Sequence, residues 1–336
     1  MATPIVLGLD IGGANLKAAT TDKRAVSVPF PLWKQPDKLP AALADLVAQF
    51  PDSEELAVTM TGELCDCFET KRDGVNAIIA AVRSASGNRR IRVWSTDGVF
   101  LDTETAASNH LKVAAANWHA LATVAGRLAP HHGGLLLDIG STTSDIIPLN
   151  HGVPSTYGLT DWKRLEHREL VYLGVSRTPV CAAYPDRVCA ELFATTQDVY
   201  TVLGLLPENP DDRDTADGRP ATVDYSLARL ARMLGGDRET LPDDHIIHFT
   251  TCVHTRIVET LSTAARAAYY DTQNPPELRT VIVSGAGEFL ARRVIDRAFH
   301  GAPIERIISL NDELGPVVSA CAPAYAVAIL ASGARS

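Results

Sequence analysis

Two near-copies of one short motif constrain this chain more than any other feature. The runs Leu7-Gly8-Leu9-Asp10-Ile11-Gly12-Gly13-Ala14-Asn15-Leu16-Lys17 and Leu135-Leu136-Leu137-Asp138-Ile139-Gly140-Ser141-Thr142-Thr143-Ser144-Asp145 each carry an apolar stretch into Asp-Ile-Gly. A short apolar run bounded by glycine reads as a buried strand that delivers a carboxylate to its end. Glycine then lets the backbone turn so tightly that its N–H groups face whatever sits in the turn, an anion cradle beside a metal-ligating carboxylate. One Asp-Ile-Gly is also what a plain strand-to-turn stop looks like. Two in matching contexts imply a duplicated domain closing on one phosphorylated ligand from both sides.

The chain is long enough, at 336 residues, to bury a large core over about two domains, and 46% hydrophobic against 21% charged residues is ordinary for an α/β enzyme. A net charge of −9 without clustered Lys and Arg argues against nucleic acid as a partner. No apolar run reaches membrane-spanning length, and the first residues lead into a strand rather than a basic, then apolar, secretion signal, so a cytoplasmic protein is expected. The six cysteines show no CxxC pairing and the ten histidines no His-x-x-x-His, which favours reduced thiols and disfavours zinc. A homo-oligomer is left open.

Strands are predicted over 5–10, 16–21, 56–60, 91–94, 134–139, 145–149 and 280–284, with helices over 38–50, 75–84, 105–128 (one or two), 191–206, 225–233, 243–268 and 320–331. Strands alternating with helices and ending in Gly, Asp or Thr place the site on the carboxyl edge of a sheet. The acidic run Asp211, Asp212, Asp214 reads as a solvated loop, and Asp217-Gly218-Arg219 as a segment able to cover the substrate.

The paired Asp-Ile-Gly turns, with a late strand ending at Ser284-Gly285-Ala286-Gly287, resemble the superfamily of actin, the heat-shock chaperone ATPases and the sugar kinases. That resemblance implies an α/β fold of two ribonuclease-H-like domains with a central cleft, the three segments being two phosphate loops and an adenosine loop. Three further stretches are similar to a narrower group, the hydantoinase/oxoprolinase-like proteins linked to tetrahydromethanopterin one-carbon transfer: 58–64 (Val-Thr-Met-Thr-Gly-Glu-Leu), 114–118 (Ala-Ala-Ala-Asn-Trp) and 169–179, which contains Gly174-Val175-Ser176-Arg177-Thr178-Pro179. The resemblance spans nearly the whole chain. It implies domains over 1–118 and 119–336, a helical insertion near 190–265, and a C-terminal helix, 320–334, packing on the first domain. The implied activity is a transfer in methanofuran-type cofactor synthesis, joining an aminomethylfuran (furfuryl) diphosphate to a phenolic amine, a glutamylated tyramine or tyrosine-type phenol, with loss of diphosphate. An ATP-dependent small-molecule kinase or oxoprolinase-like hydrolase is the runner-up. A non-catalytic nucleotide-sensing protein comes third. The first loop lacks the hydroxyl usual near Ala14 or Asn15 in the kinases, and the third loop is only a partial glycine motif, both of which count against ATP.

A diphosphate leaving group calls for electrostatic stabilisation and positioning, a task that suits Mg2+ held by one or two carboxylates. Asp10 and Asp138 are therefore expected to hold the metal or its waters, and Lys17 to be a point charge for the diphosphate. The backbone N–H groups of Gly12, Gly13, Gly140, Ser141 and Thr142 are the expected cradles, with the hydroxyls of Ser141, Thr142 and Thr143 in reach, Asn15 also binding the diphosphate, and Arg177 forking onto a phosphate or a substrate carboxylate unless it serves a structural ion pair. Glu63 is the first candidate base for the phenol, or else a helix-start charge, with Asp145 and Asp97 behind it. Asn117 and Trp118, on an apolar helix, and Gly285 and Gly287 are assigned to the substrate cleft, Trp118 with core packing as the competing reading.

Overall fold

The computed structural model describes residues 4–271 and 275–333. Six strands form the first sheet: β1 (Val6–Ile11), β2 (Asn15–Thr20), β3 (Ala25–Pro29), β4 (Glu55–Met60), β5 (Arg90–Trp94) and β6 (Phe100–Leu101), in spatial order β3-β2-β1-β4-β5-β6. The second sheet comprises β7 (Gly133–Ile139), β8 (Ser144–Asn150), β9 (Val153–Pro154), β10 (Leu170–Val171), β11 (Leu278–Ser284) and β12 (Arg306–Ser309). Its order is β10-β8-β7-β11-β12, with β9 paired to β8. In each sheet the strand carrying Asp-Ile-Gly pairs antiparallel with its hairpin partner and parallel with the next strand inward. The two lobes thus share one α/β plan, five strands with the same order and pairing in each sheet, as a duplicated domain requires.

Both central strands are buried along their length, which is why they read as continuous apolar runs rather than alternating ones. Between the sheets lie two helices, Asn117–Ala125 and Ala322–Ser332, packed on each other. The C-terminal helix lies on β1, β2 and β4, and a Cβ on Gly8 would sit 1.8 Å from the carbonyl oxygen of Ala324, so only glycine permits this backbone-on-backbone seam. Residue 334 of the expected 320–334 helix lies outside the described residues. The expected boundary after residue 118 falls inside Asn117–Ala125. Trp118 and Leu121 pack with the second-lobe strands while Ala120 packs with Val6 and Ala57, so this helix belongs to both lobes.

Two helix expectations are corrected. Over 105–128 the chain breaks into Thr103–Ser108, His110–Val113 and Asn117–Ala125, with Ala115 at φ +48 turning it from one lobe towards the other. Over 191–206 only Thr196–Val202 is helical, because a reciprocal Thr195/Asp198 capping box starts the helix late and Gly204, at φ +66, follows its end. In the insertion Arg229, fully buried, pairs with Asp198 at 2.6 Å and with Asp217 at 3.0 Å. Asp217 is thereby tied to the insertion, and 217–219 does not line the central cleft.

Candidate functional site

The carboxyl ends of β1 and β7 open into one cleft of about 680 Å³ between the lobes. Each Asp-Ile-Gly turn closes with the same hydrogen bond, Gly12 N–H to the Asn15 carbonyl at 3.0 Å and Gly140 N–H to the Thr143 carbonyl at 2.8 Å. The amides of Gly12 and Gly140 are therefore used inside the turns, which corrects their assignment as phosphate donors. Gly13, Ala14, Ser141 and Thr142 make no backbone hydrogen bond through their amides among the described residues, and all line the cleft with Asn15 and Thr143.

A short segment braces each turn. Phe30 N–H and Leu32 N–H donate to the carbonyls of Ala14 and Gly13 (both 2.9 Å), which brings Trp33 to the cleft. Val175 N–H donates to the Gly140 carbonyl (3.0 Å), and the Ser176 and Arg177 amides donate to Ser141 (3.1 and 2.9 Å), which brings Arg177 there. The two braces meet, with the Arg177 guanidinium 5.4 Å from the centre of the Trp33 ring.

In the first lobe Asp10 stands directly opposite Lys17 across the β1–β2 ladder; in the second, Asp138 stands opposite Asp145 across β7–β8. Directly opposed residues share a sheet face, so each pair points into the cleft it lines. Burial pushes the Asp10 carboxyl up to about 6 against the pull of Lys17, and its Oδ1 has no hydrogen-bond partner. Burial, helped by the like charge of Asp145, pushes Asp138 up to about 7. Both acids resist ionising and one has an orphaned oxygen; among the described residues no group of three or more His, Cys, Asp or Glu is placed to hold a metal.

Asp145 also lies in the cleft, its Oδ1 2.7 Å from Nη2 of the fully buried Arg164. Burial raises the pKa of its carboxyl and Arg164 opposes that rise. Arg164 also lies over the Trp118 ring at 4.2 Å. Trp118 is both core and cleft: it is 2% exposed, packs on Leu136 and Ile282, and still lines the cavity with an unpartnered indole N–H. Asn117 lines it too, its Oδ1 accepting from the Trp118 amide at 2.8 Å.

Three assigned residues lie elsewhere. Asp97 is exposed, bound to Lys112 at 2.6 Å, and does not line the cleft. Gly285 does line it, at φ +88, but Gly287 packs on Ile139, where a Cβ would come within 2.3 Å of a side-chain carbon. Glu63 follows the cleft-lining Thr61 but turns into the wall, 1% exposed, its nearest cation Lys71 at 3.8 Å. The nearby amides of Glu63 and Ala115 favour its charged form without reaching hydrogen-bond geometry, and burial dominates, pushing it up to about 7.

The family model described as hydantoinase/oxoprolinase matches residues 54–331. The chain belongs to the hydantoinase/oxoprolinase family. The (4-{4-[2-(gamma-L-glutamylamino)ethyl]phenoxymethyl}furan-2-yl)methanamine synthase of Methanocaldococcus jannaschii is 33% identical to it over 97% of both chains. The protein of the same name from Methanococcus vannielii is 29% identical over 58% of this chain and 89% of its own. A nucleotide-free structure of acetone carboxylase superposes with a TM-score of 0.57 at 10% identity, covering 96% of this chain and 70% of that one, a likeness of fold alone. In this member of the hydantoinase/oxoprolinase family the sequence reading missed Arg164, Asp161 and Tyr172, all of which line the cleft. They arrive through the six-residue helix Asp161–Glu166 and the strand β10, elements too short to carry a periodic signal.

Proposed function

We propose that this chain is a transferase of methanofuran-type cofactor synthesis. It condenses an aminomethylfurfuryl diphosphate with a glutamylated tyramine or tyrosine-type phenol, forming a phenoxymethyl-furan ether and releasing diphosphate. Both curated relatives bear the name of such a synthase, which favours condensation over the ATP-dependent alternative. The observation that carries the reading is the pair of matching turns, each with free amides and an aspartate, facing one cleft beside Lys17.

The diphosphate lies between the turns, taking hydrogen bonds from the Gly13, Ala14, Ser141 and Thr142 amides and from the hydroxyls of Ser141, Thr142 and Thr143. Lys17 and Arg177 supply point charge. Asp10 and Asp138 would hold Mg2+, which neutralises charge on phosphate oxygens when bound. The bond between the furfuryl carbon and the diphosphate oxygen breaks with its electron pair leaving on oxygen, and the furan oxygen delocalises the positive carbon. The phenol oxygen then forms the ether bond, and its proton passes to Asp145, the cleft carboxylate held in place by Arg164. Tyr172 offers aromatic surface against the rings of the substrates.

Incubating the protein with aminomethylfurfuryl diphosphate and tyramine-type phenols is expected to release one diphosphate per ether formed, with EDTA suppressing both. Consumption of ATP with no ether product would refute the transferase. A rate unchanged by EDTA would remove the metal assignment alone.

A further inference from the structure

Beside the phosphate turns, the cleft wall carries a charged group that the diphosphate does not use. Lys71 opens the first-lobe helix Lys71–Ala85 and Asp161 opens the second-lobe helix Asp161–Glu166; their side chains meet across the lobes, Nζ to Oδ2, at 3.1 Å. Glu63 lies behind Lys71 at 3.8 Å, and neither of its buried oxygens has a hydrogen-bond partner. Asp161 and Tyr172 line the cleft; Glu63 and Lys71 back them.

One lysine between two carboxylates leaves this group short of one positive charge when both acids are ionised. Two other cations of the cleft are directed at other groups. Arg164 gives its Nη2 to Asp145 and to the Glu169 carbonyl, and Lys17 faces Asp10 and Asp138. The shortage shows in the neighbours: burial and the Asp161 charge push Glu63 up, and Asp161, Glu63 and Asp145 together raise the Tyr172 phenol after burial. The exposed Tyr172 ring beside this group offers a cation an aromatic face.

We infer that Asp161, braced by Lys71 and backed by Glu63, recognises a primary ammonium on the substrate, namely the aminomethyl group of the furfuryl diphosphate. This rests on the transferase reading given above. Only the furan ring and one methylene separate that nitrogen from the reacting carbon, so its counter-ion must stand beside the phosphate turns. Asp161 meets this condition: it lines the same cleft as Gly13, Ala14, Ser141 and Thr142. The ammonium of a glutamylated phenol is carried far beyond the reacting oxygen and would call for a carboxylate further away.

The test compares aminomethylfurfuryl diphosphate with its methylfurfuryl analogue, which keeps the leaving group and the ring and lacks the ammonium. Asp161→Asn is expected to lower kcat/KM for the amine by roughly 10- to 100-fold, mainly through KM, since a hydrogen bond to a charged group is lost, while the analogue stays within about twofold. Glu63→Gln, which removes charge without touching ligand, is expected to lower the same ratio several-fold. Both compounds are measured on one preparation, so partial unfolding scales both rates and leaves their ratio unmoved. Equal losses on the two compounds, or none on either, would overturn the ammonium site. Failure of the unaltered protein to turn over either compound would overturn the transferase reading, and with it the inference.

Discussion

Glu63→Gln tests the electrostatics of the wall in isolation. The Glu63 carboxyl is pushed from 4.5 to about 7, with burial as the leading cause. That displacement makes ionising Glu63 cost the folded chain about 3 kcal/mol more than the unfolded chain. At pH 6 the folded state holds the proton and the unfolded state does not, so stability falls as pH rises. The contribution is fully present below 4.5, declines between 4.5 and about 7, and is gone above that. Gln carries no charge and loses this dependence. Its amide brings a pH-independent cost of its own in a site that lacks partners. The informative quantity is therefore a difference of differences: urea midpoints of both proteins from pH 4.5 to 8.5 at fixed ionic strength, with the gap moving by about 3 kcal/mol in favour of Gln towards high pH. Asp10 and Asp138 titrate in the same range but are present in both proteins and cancel. Parallel curves would refute the argument that Glu63 is a buried acid beside too little positive charge.

Two further outcomes follow from where residues sit. Asp97→Asn is expected to leave condensation unchanged and to cost under about 1 kcal/mol in a denaturant titration, because it touches only an exposed pair with Lys112. Gly8→Ala is expected to lower stability by about 3 kcal/mol, seen as a drop of several degrees in Tm, since the new methyl meets the Ala324 carbonyl and neither backbone can yield.

The central strands and their turns were legible because their signals are local: an apolar run, a carboxylate and a glycine within a few residues suffice. The same locality misled at Glu63, which lies two residues beyond the cleft-lining Thr61 and points into the wall, a direction set by the helix behind it. There a Cβ on Gly74 would come within 2.2 Å of the Glu63 carbonyl oxygen. Asp97 follows β5, two strands out from β1, so being at a carboxyl edge did not bring it to the cleft. Gly12 and Gly140 had the right backbone for a cradle, but forming the turn consumes their amides. Arg164 and Asp161 reach the site by tertiary packing of a six-residue helix, which no window of sequence encodes.

Five strands of each lobe repeat one order and pairing, and a shell with true twofold symmetry could not tell one end of its ligand from the other. At the ladder position facing each aspartate the repeat is broken: lysine in the first lobe, aspartate with its buried arginine in the second. That single exchange gives the cavity a direction. In the proposed reaction it sets a cation beside one turn and the proton acceptor beside the other.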